Sequence, residues 1–230
     1  MNDVRTVSDT KRDFYNIHTR PIHSIYRRVV EELMVEMHLL AVNADFRYEP
    51  IYALGVVTTF DRFMQGYRPD SDKTSIFNAL CQAMKQDAQT YRHDAEQLLN
   101  SLSGLTATDF LSQLNQEIET VSWAEPFRAI ANHPNAKYSR LFAVGLYSLL
   151  EQLDGDLVKD EKQRNEALQK LCEPLKLNVD KVQKDLELYR SNLDKLAQAQ
   201  LVLEDMLKAD RKKKEERAAA RDAMATPPNP

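Results

Sequence analysis

The chain has 230 residues, 43% of them apolar and 29% charged, with a formal net charge of −4. That balance suits a soluble globular protein and offers no overall attraction to nucleic acid. Only five Gly and two Cys are present, which leaves little material for β-turns, phosphate-cradling loops or a disulfide framework. No apolar run reaches the roughly 18 residues a spanning helix requires. The opening MNDVRTVSDTKRDFY has no apolar core of a secretory signal, and Asp3, Asp9 and Asp13 do not suit a transit peptide.

Helical periodicity runs along almost the whole chain. Ser8 to His18 reads as a short helix capped by Ser8 or Thr10, with Phe14, Tyr15 and Ile17 on its apolar side. Pro21 is placed to open a second helix. There Ile22, Ile25, Val29, Leu33, Met37 and Leu40 form one face, while Arg27, Arg28, Glu31 and Glu32 occupy the other. His38 falls on or near the polar edge and is expected as a surface or helix-end histidine; Glu31, Glu32 and Glu36 read as a solvated face. Pro50 opens a third helix through Gly66. Its residues Ile51, Tyr52, Leu54, Val56, Val57, Phe60, Phe63 and Met64 leave little polar face, so it belongs in the core.

The turn-rich GYRPDSDK precedes a helix expected from Asp72 to Ser101, with a bend near Gln89–Arg92. Residues 103–135 are the least legible: Thr106 or Thr108 can cap a helix through Leu111 and Leu114, and Pro126 and Pro134 break the pattern around Trp123–Ala131. Tyr138 to Leu153 is a second core helix, and residues 160–174 are amphipathic. From Asn178 to Met224 there is neither Pro nor Gly. Val182, Leu186, Tyr189, Leu193, Leu196, Leu203 and Leu207 step by four and three, with Gln200 as the polar interruption. Asn178 caps this helix and Asp180 sits in its first turn. TPPNP, ending at Pro230, reads as a disordered tail. The expectation is an all-α, single multi-helix domain of seven to nine helices. The divisions are a helical body at 1–177, a long coiled-coil-like helix at 178–224, partly packed and partly projecting, and a tail at 225–230.

Sites of catalysis or metal binding find no support in the pattern. No His has Glu three residues before it, so the pairs of a carboxylate-bridged di-metal bundle are missing. There is no CxxC for zinc, and Cys81 and Cys172 are expected as free buried thiols. GxxxxGK[ST], GxGxxG and GxSxG are absent. We expect neither catalytic residues nor cofactor, and a protein that is not an enzyme. The segment KADRKKKEER is the one charged cluster with a binding reading. Lys208, Arg211, Lys212, Lys213, Lys214 and Arg217 are its candidate contacts for an acidic partner or anionic lipid headgroups, against a solvated helix end as the plain reading.

Four strings carry a resemblance: TVSDTKRDFYNIHTRPIHSIYRRVVEELMVEMHLL (6–40), FRYEPIYALGVVTTFDRFMQGYRP (46–69), YSRLFAVGLYSLLE (138–151) and DLELYRSNLDKL (185–196). With them the chain closely resembles the thylakoid formation protein family, the photosystem II biogenesis proteins of oxygenic phototrophs. The resemblance implies an accessory factor for photosystem II assembly and repair and for thylakoid organisation. It implies an FtsH-type membrane protease complex as partner, with photosystem II assembly intermediates as further ones. It implies a location on the cytoplasmic or stromal side of the thylakoid membrane, with peripheral association through protein partners. The family brings no catalytic residues to transfer. Plant members begin with a plastid transit peptide, so a chain without one fits a bacterial member or a mature form. A monomer is expected, with a weak dimer through the last helix as the alternative. The rival reading is a lipid-surface protein that organises the membrane directly through its basic C-terminal helix.

Overall fold

The computed structural model describes residues 5–116, 118–133 and 137–225, without the side chains of 207, 210 and 217–225. Pro134, the tail at 226–230, the first four residues, and the side chains of Leu207 and Arg217 therefore lie outside the described residues. Among the described residues there are ten α-helices, one short 3-10 turn at Ser122–Ala124, and no strand. The helices are α1 Val7–Ile17, α2 Ser24–Ala41, α3 Pro50–Phe63, α4 Asp70–Ala83, α5 Ala88–Ser101, α6 Ala107–Gln116, α7 Glu125–Ala131, α8 Arg140–Leu153, α9 Glu161–Cys172 and α10 Val179–Ala225.

The count exceeds seven to nine because the stretch from 72 to 101 is two helices rather than one bent one. Lys85 adopts a left-handed φ of 59°, and the Gln86 amide donates back to the Cys81 carbonyl at 3.0 Å, closing α4. Asp87 then caps α5, accepting from the Gln89 amide at 3.2 Å. The break thus falls at Met84–Asp87, ahead of the expected bend. The illegible stretch resolves into α6 and α7, with Thr106 as the cap of α6, accepting from the Asp109 amide at 3.1 Å. Phe110, Trp123 and Phe127 stack together there, and the Arg128 guanidinium donates to the carbonyls of Ile118 and Val121.

α3 opens at Pro50 as expected and, like α2, α4 and α7, has no side-chain cap, while the remaining α-helices start at a capping side chain. Thr6, not Ser8 or Thr10, caps α1 through a reciprocal box with Asp9. α2 begins at Ser24, three residues after Pro21, with His23 at its N-cap. Ser139, Asp160 and Asn178 accept from the amides of Phe142, Gln163 and Lys181 to start α8, α9 and α10.

The chain divides into two compact units, Met1–Arg190 and Ser191–Pro230. In the first, α3 and α8 cross at the centre, and both are buried nearly all round. Gly55 and Gly145 make this crossing possible. A Cβ on Gly55 would stand 1.7 Å from the Leu141 carbonyl oxygen, and one on Gly145 would stand 2.0 Å from that of Ile51. The two backbones are therefore in contact with no side chain between them. α5 and α4 pack alongside, with Phe60 against Phe77 at 4.9 Å between ring centroids and Phe77 edge-on to Tyr91. The first turns of α10 close this unit, burying Val182, Leu186 and Tyr189. Tyr189 meets Phe63, and Tyr138 donates to Asp185 at 2.8 Å. In the second unit α10 continues, and Leu201, Val202 and Met206 are 63%, 54% and 62% exposed.

Two substitutions test this core. Gly55→Ala pushes a methyl into backbone rather than into a movable side chain, so unfolding free energy should fall by about 3 kcal/mol or more, the upper end of overpacking costs. Phe60→Ala should cost about 3–5 kcal/mol through its cavity. Denaturant melts of both variants check this; a loss under about 1 kcal/mol in either would displace the crossing from the centre of the fold.

Candidate partner-binding surfaces

In the second unit the basic segment lies on one uninterrupted helix. Lys208, Arg211, Lys212, Lys213 and Lys214 are all exposed. At about 100° per residue they point around the whole circumference instead of lining one face. Acids are interleaved: Glu204 lies 3.9 Å from the Lys208 ammonium, and Glu215 and Glu216 come directly after Lys214. Arg217, the sixth candidate, falls outside the described side chains. A helix built to lie on lipid separates an apolar face from a basic one. This segment instead offers mixed charge on every side, a pattern suited to a protein surface of mixed charge.

In the first unit the outward face of α2 forms an open groove of about 760 Å³. Its floor carries Val35 and Leu39, and Val42 extends the same line; they are 37%, 57% and 45% exposed. Three large aliphatics stepping by four and three on an exposed helix have the spacing used in helix-in-groove recognition. The sequence pattern hides them, because periodicity traces only the buried stripe of the same helix. The rim is held in place by fixed charges. Glu36 accepts from Arg140 at 2.6 Å and from the Leu141 amide at 3.3 Å, tying α2 to the start of α8. Glu31 accepts from Tyr15 at 2.6 Å and Lys11 at 2.8 Å, tying α2 to α1. Of the three glutamates expected on a solvated face, only Glu32 is one, paired with Arg28 at 2.9 Å. Burial pulls the Glu31 carboxyl upward, but its hydrogen bonds from Lys11 and Tyr15 outweigh this and hold it below the usual range.

His38 corrects a second expectation. It does stand at the helix end, in the last turn of α2, but it is buried, 4% exposed, with Nδ1 2.9 Å from Thr10 Oγ1 on α1. The helix edge that looks polar in the sequence is covered by α1, which one-dimensional periodicity cannot show. Burial lowers its pKa, and it does the same for His18, whose Nδ1 lies 3.0 Å from Ser75 Oγ.

A small cavity of about 40 Å³ lies where α3 and α8 begin, walled by Phe46, Tyr52, Tyr138, Phe142 and Leu177. Glu49 lines it too. Among the described residues its carboxyl has no hydrogen-bond or ion-pair partner, and burial pushes it up to about 7. The thiols of Cys81 and Cys172 are free and buried, and burial pushes them up to about 12 and about 11, which leaves them unreactive. Among the described residues no three His, Cys, Asp or Glu gather as a metal site, and no helix is long and apolar enough to cross a membrane.

A family model described as "Thylakoid formation protein" matches residues 6–218. The chain belongs to the thylakoid formation protein family. A Protein Thf1 of Nostoc punctiforme is 62% identical over 232 residues, spanning 100% of this chain and 99% of that one. The Protein Thf1 of Acaryochloris marina is 48% identical over 232 residues, spanning 99% and 93%. A solved structure described as that of Psb29 is similar with a TM-score of 0.81 at 47% identity, covering 92% of this chain and 99% of that one. The likeness carried in sequence by the four strings thus extends to the fold.

Within this thylakoid formation fold Glu49 gives a pH test. The folded chain holds its proton at pH values where an unfolded carboxyl, near about 4.3, has released it. The contribution to stability is therefore full below about pH 4 and is lost as pH rises through about 7. Glu49→Gln should flatten that decline and leave the variant the more stable of the two at about pH 8. Urea midpoints between about pH 5 and 8 check this; parallel curves would place the carboxyl in water.

Proposed function

We propose that this protein is a non-enzymatic accessory factor for photosystem II assembly and repair and for thylakoid organisation. It works by binding: it engages and supports an FtsH-type membrane protease complex, with photosystem II assembly intermediates as further partners. The association is peripheral, by way of protein partners, on the cytoplasmic or stromal side of the thylakoid membrane. Membership of the thylakoid formation protein family supports the setting. The observation that carries the mode of action is the exposed basic helix at Lys208–Lys214, in a unit where Leu201, Val202 and Met206 also meet solvent. Acidic or mixed-charge surfaces are steered to such a segment and then held by its apolar residues. The alternative, direct binding to anionic lipid, is weakened by cations that encircle the helix and are flanked by acids on both sides.

Removing residues 201–230 should leave the melting temperature of the body within a few degrees, since few apolar residues there can serve a core. The same truncation should sharply reduce recovery of the protease from solubilised membranes. A truncated chain that melts normally and still recovers the protease in full removes the tail as the contact. Flotation of the full chain with purely anionic vesicles, lost on adding salt, would favour the lipid reading.

A further inference from the structure

The row on α2 continues beyond its aliphatic part. Arg28, Glu32, Val35, Leu39 and Val42 step by four, three, four and three, and all five are exposed. In the second unit an equal row of exposed residues steps the same way: Val202, Met206, Ala209, Lys213 and Glu216. Laid antiparallel, the two rows match at every position. Val42 meets Val202, Leu39 meets Met206, and Val35 meets Ala209. Glu32 then faces Lys213, and Arg28 faces Glu216. Alternate layers fall out of step by one residue, about 1.5 Å, which side chains of this length absorb. The parallel alignment that matches the aliphatics instead sets Arg28 against Lys195, like against like. The aliphatic layers supply the burial, and the two charge pairs choose the direction.

We propose that the groove on α2 is the docking site for residues 202–216 of a second copy of this chain. Both rows are on every chain, so the same pairing is available twice in a pair of copies. A pair that exchanges both segments is a closed two-fold dimer. Lys213 belongs to the segment assigned above to the protease partner, so the dimer withdraws the face of that segment that carries Lys213 and Glu216. Concentration then sets how much of the basic helix is available.

Sedimentation velocity of the purified full-length chain over a wide concentration range tests this, without the protease present. The expected result is a monomer–dimer equilibrium. Leu39→Asp should abolish the dimer. Glu32→Lys or Lys213→Glu alone should weaken it roughly ten-fold or more, and the chain carrying both should recover most of the loss. The three substituted positions are all exposed, so circular dichroism should be unchanged in every variant. A chain that stays monomeric throughout overturns the pairing, as does a dimer indifferent to Leu39→Asp. Either result leaves the protease reading where it stood, because that reading is scored by recovery from membranes.

Discussion

The fold depends on two backbones in contact. α3 and α8 cross where Gly55 lies against the Leu141 carbonyl and Gly145 against that of Ile51. Glycine inside a helix costs about 1 kcal/mol relative to alanine. Here that cost is offset by the closeness of the crossing. With the helix axes this near, Ile51, Leu54, Phe60, Leu141, Leu146 and Leu150 on either side reach almost complete burial. α2, α4, α5 and the start of α10 are arranged around this pair. α4 and α5 bring Phe77 and Tyr91, the start of α10 brings Tyr189 and Asp185, and α2 is tied to the first residues of α8 through Glu36.

The same arrangement explains why α2 has a usable outer face. α1 covers one edge, with His38 meeting Thr10 and Tyr15 meeting Glu31, and α8 fixes another through Arg140. What remains is a stripe whose flanking side chains already have their partners within the protein. Glu31 and Glu36 are engaged in internal hydrogen bonds, so their positions are set before anything docks. A preset rim lowers the ordering entropy of association. The stripe itself is aliphatic and does not need reorganisation.

How much of this the sequence reveals varies with the kind of force involved. The all-helical class, the two core helices and the capping role of Asn178 arise from local chemistry and can be read directly, whereas the choice of Thr106 over Thr108 is made only in the fold. The α4–α5 break is foreshadowed by Asp87, a good cap, but Lys85 in a left-handed conformation has no signature, since glycine is the residue that marks such a turn. Gly55 and Gly145 are visible as glycines in apolar helices, yet which helix each touches is a long-range fact. His38, Glu31 and Glu36 are misplaced by periodicity for the same reason: it divides a helix into two faces, whereas α2 has neighbours on three sides. Of the candidate contacts, Lys208 to Lys214 stand exposed where the sequence puts them. Val35, Leu39 and Val42 escape notice because apolar residues on the polar side of a helix look like noise until the solvent boundary is known.

That boundary also gives α10 a double character. Before Ser191 its residues Val182, Leu186 and Tyr189 are buried and answer to the folding of the first unit. At Leu201, Val202 and Met206 they stand in water, where single apolar side chains contribute little to stability. A continuous helix of 47 residues, at about 1.5 Å each, runs about 70 Å, far more than a core of this size needs. Folding therefore places weak demands on residues beyond the first turns of α10, apart from helix propensity, which Ala, Leu, Lys and Glu satisfy readily. The order of charges and aliphatics there is free to be set by what the helix meets. A row that mirrors α2 in both spacing and charge is a pattern that packing within the first unit does not require, and association between chains gives it a physical reason.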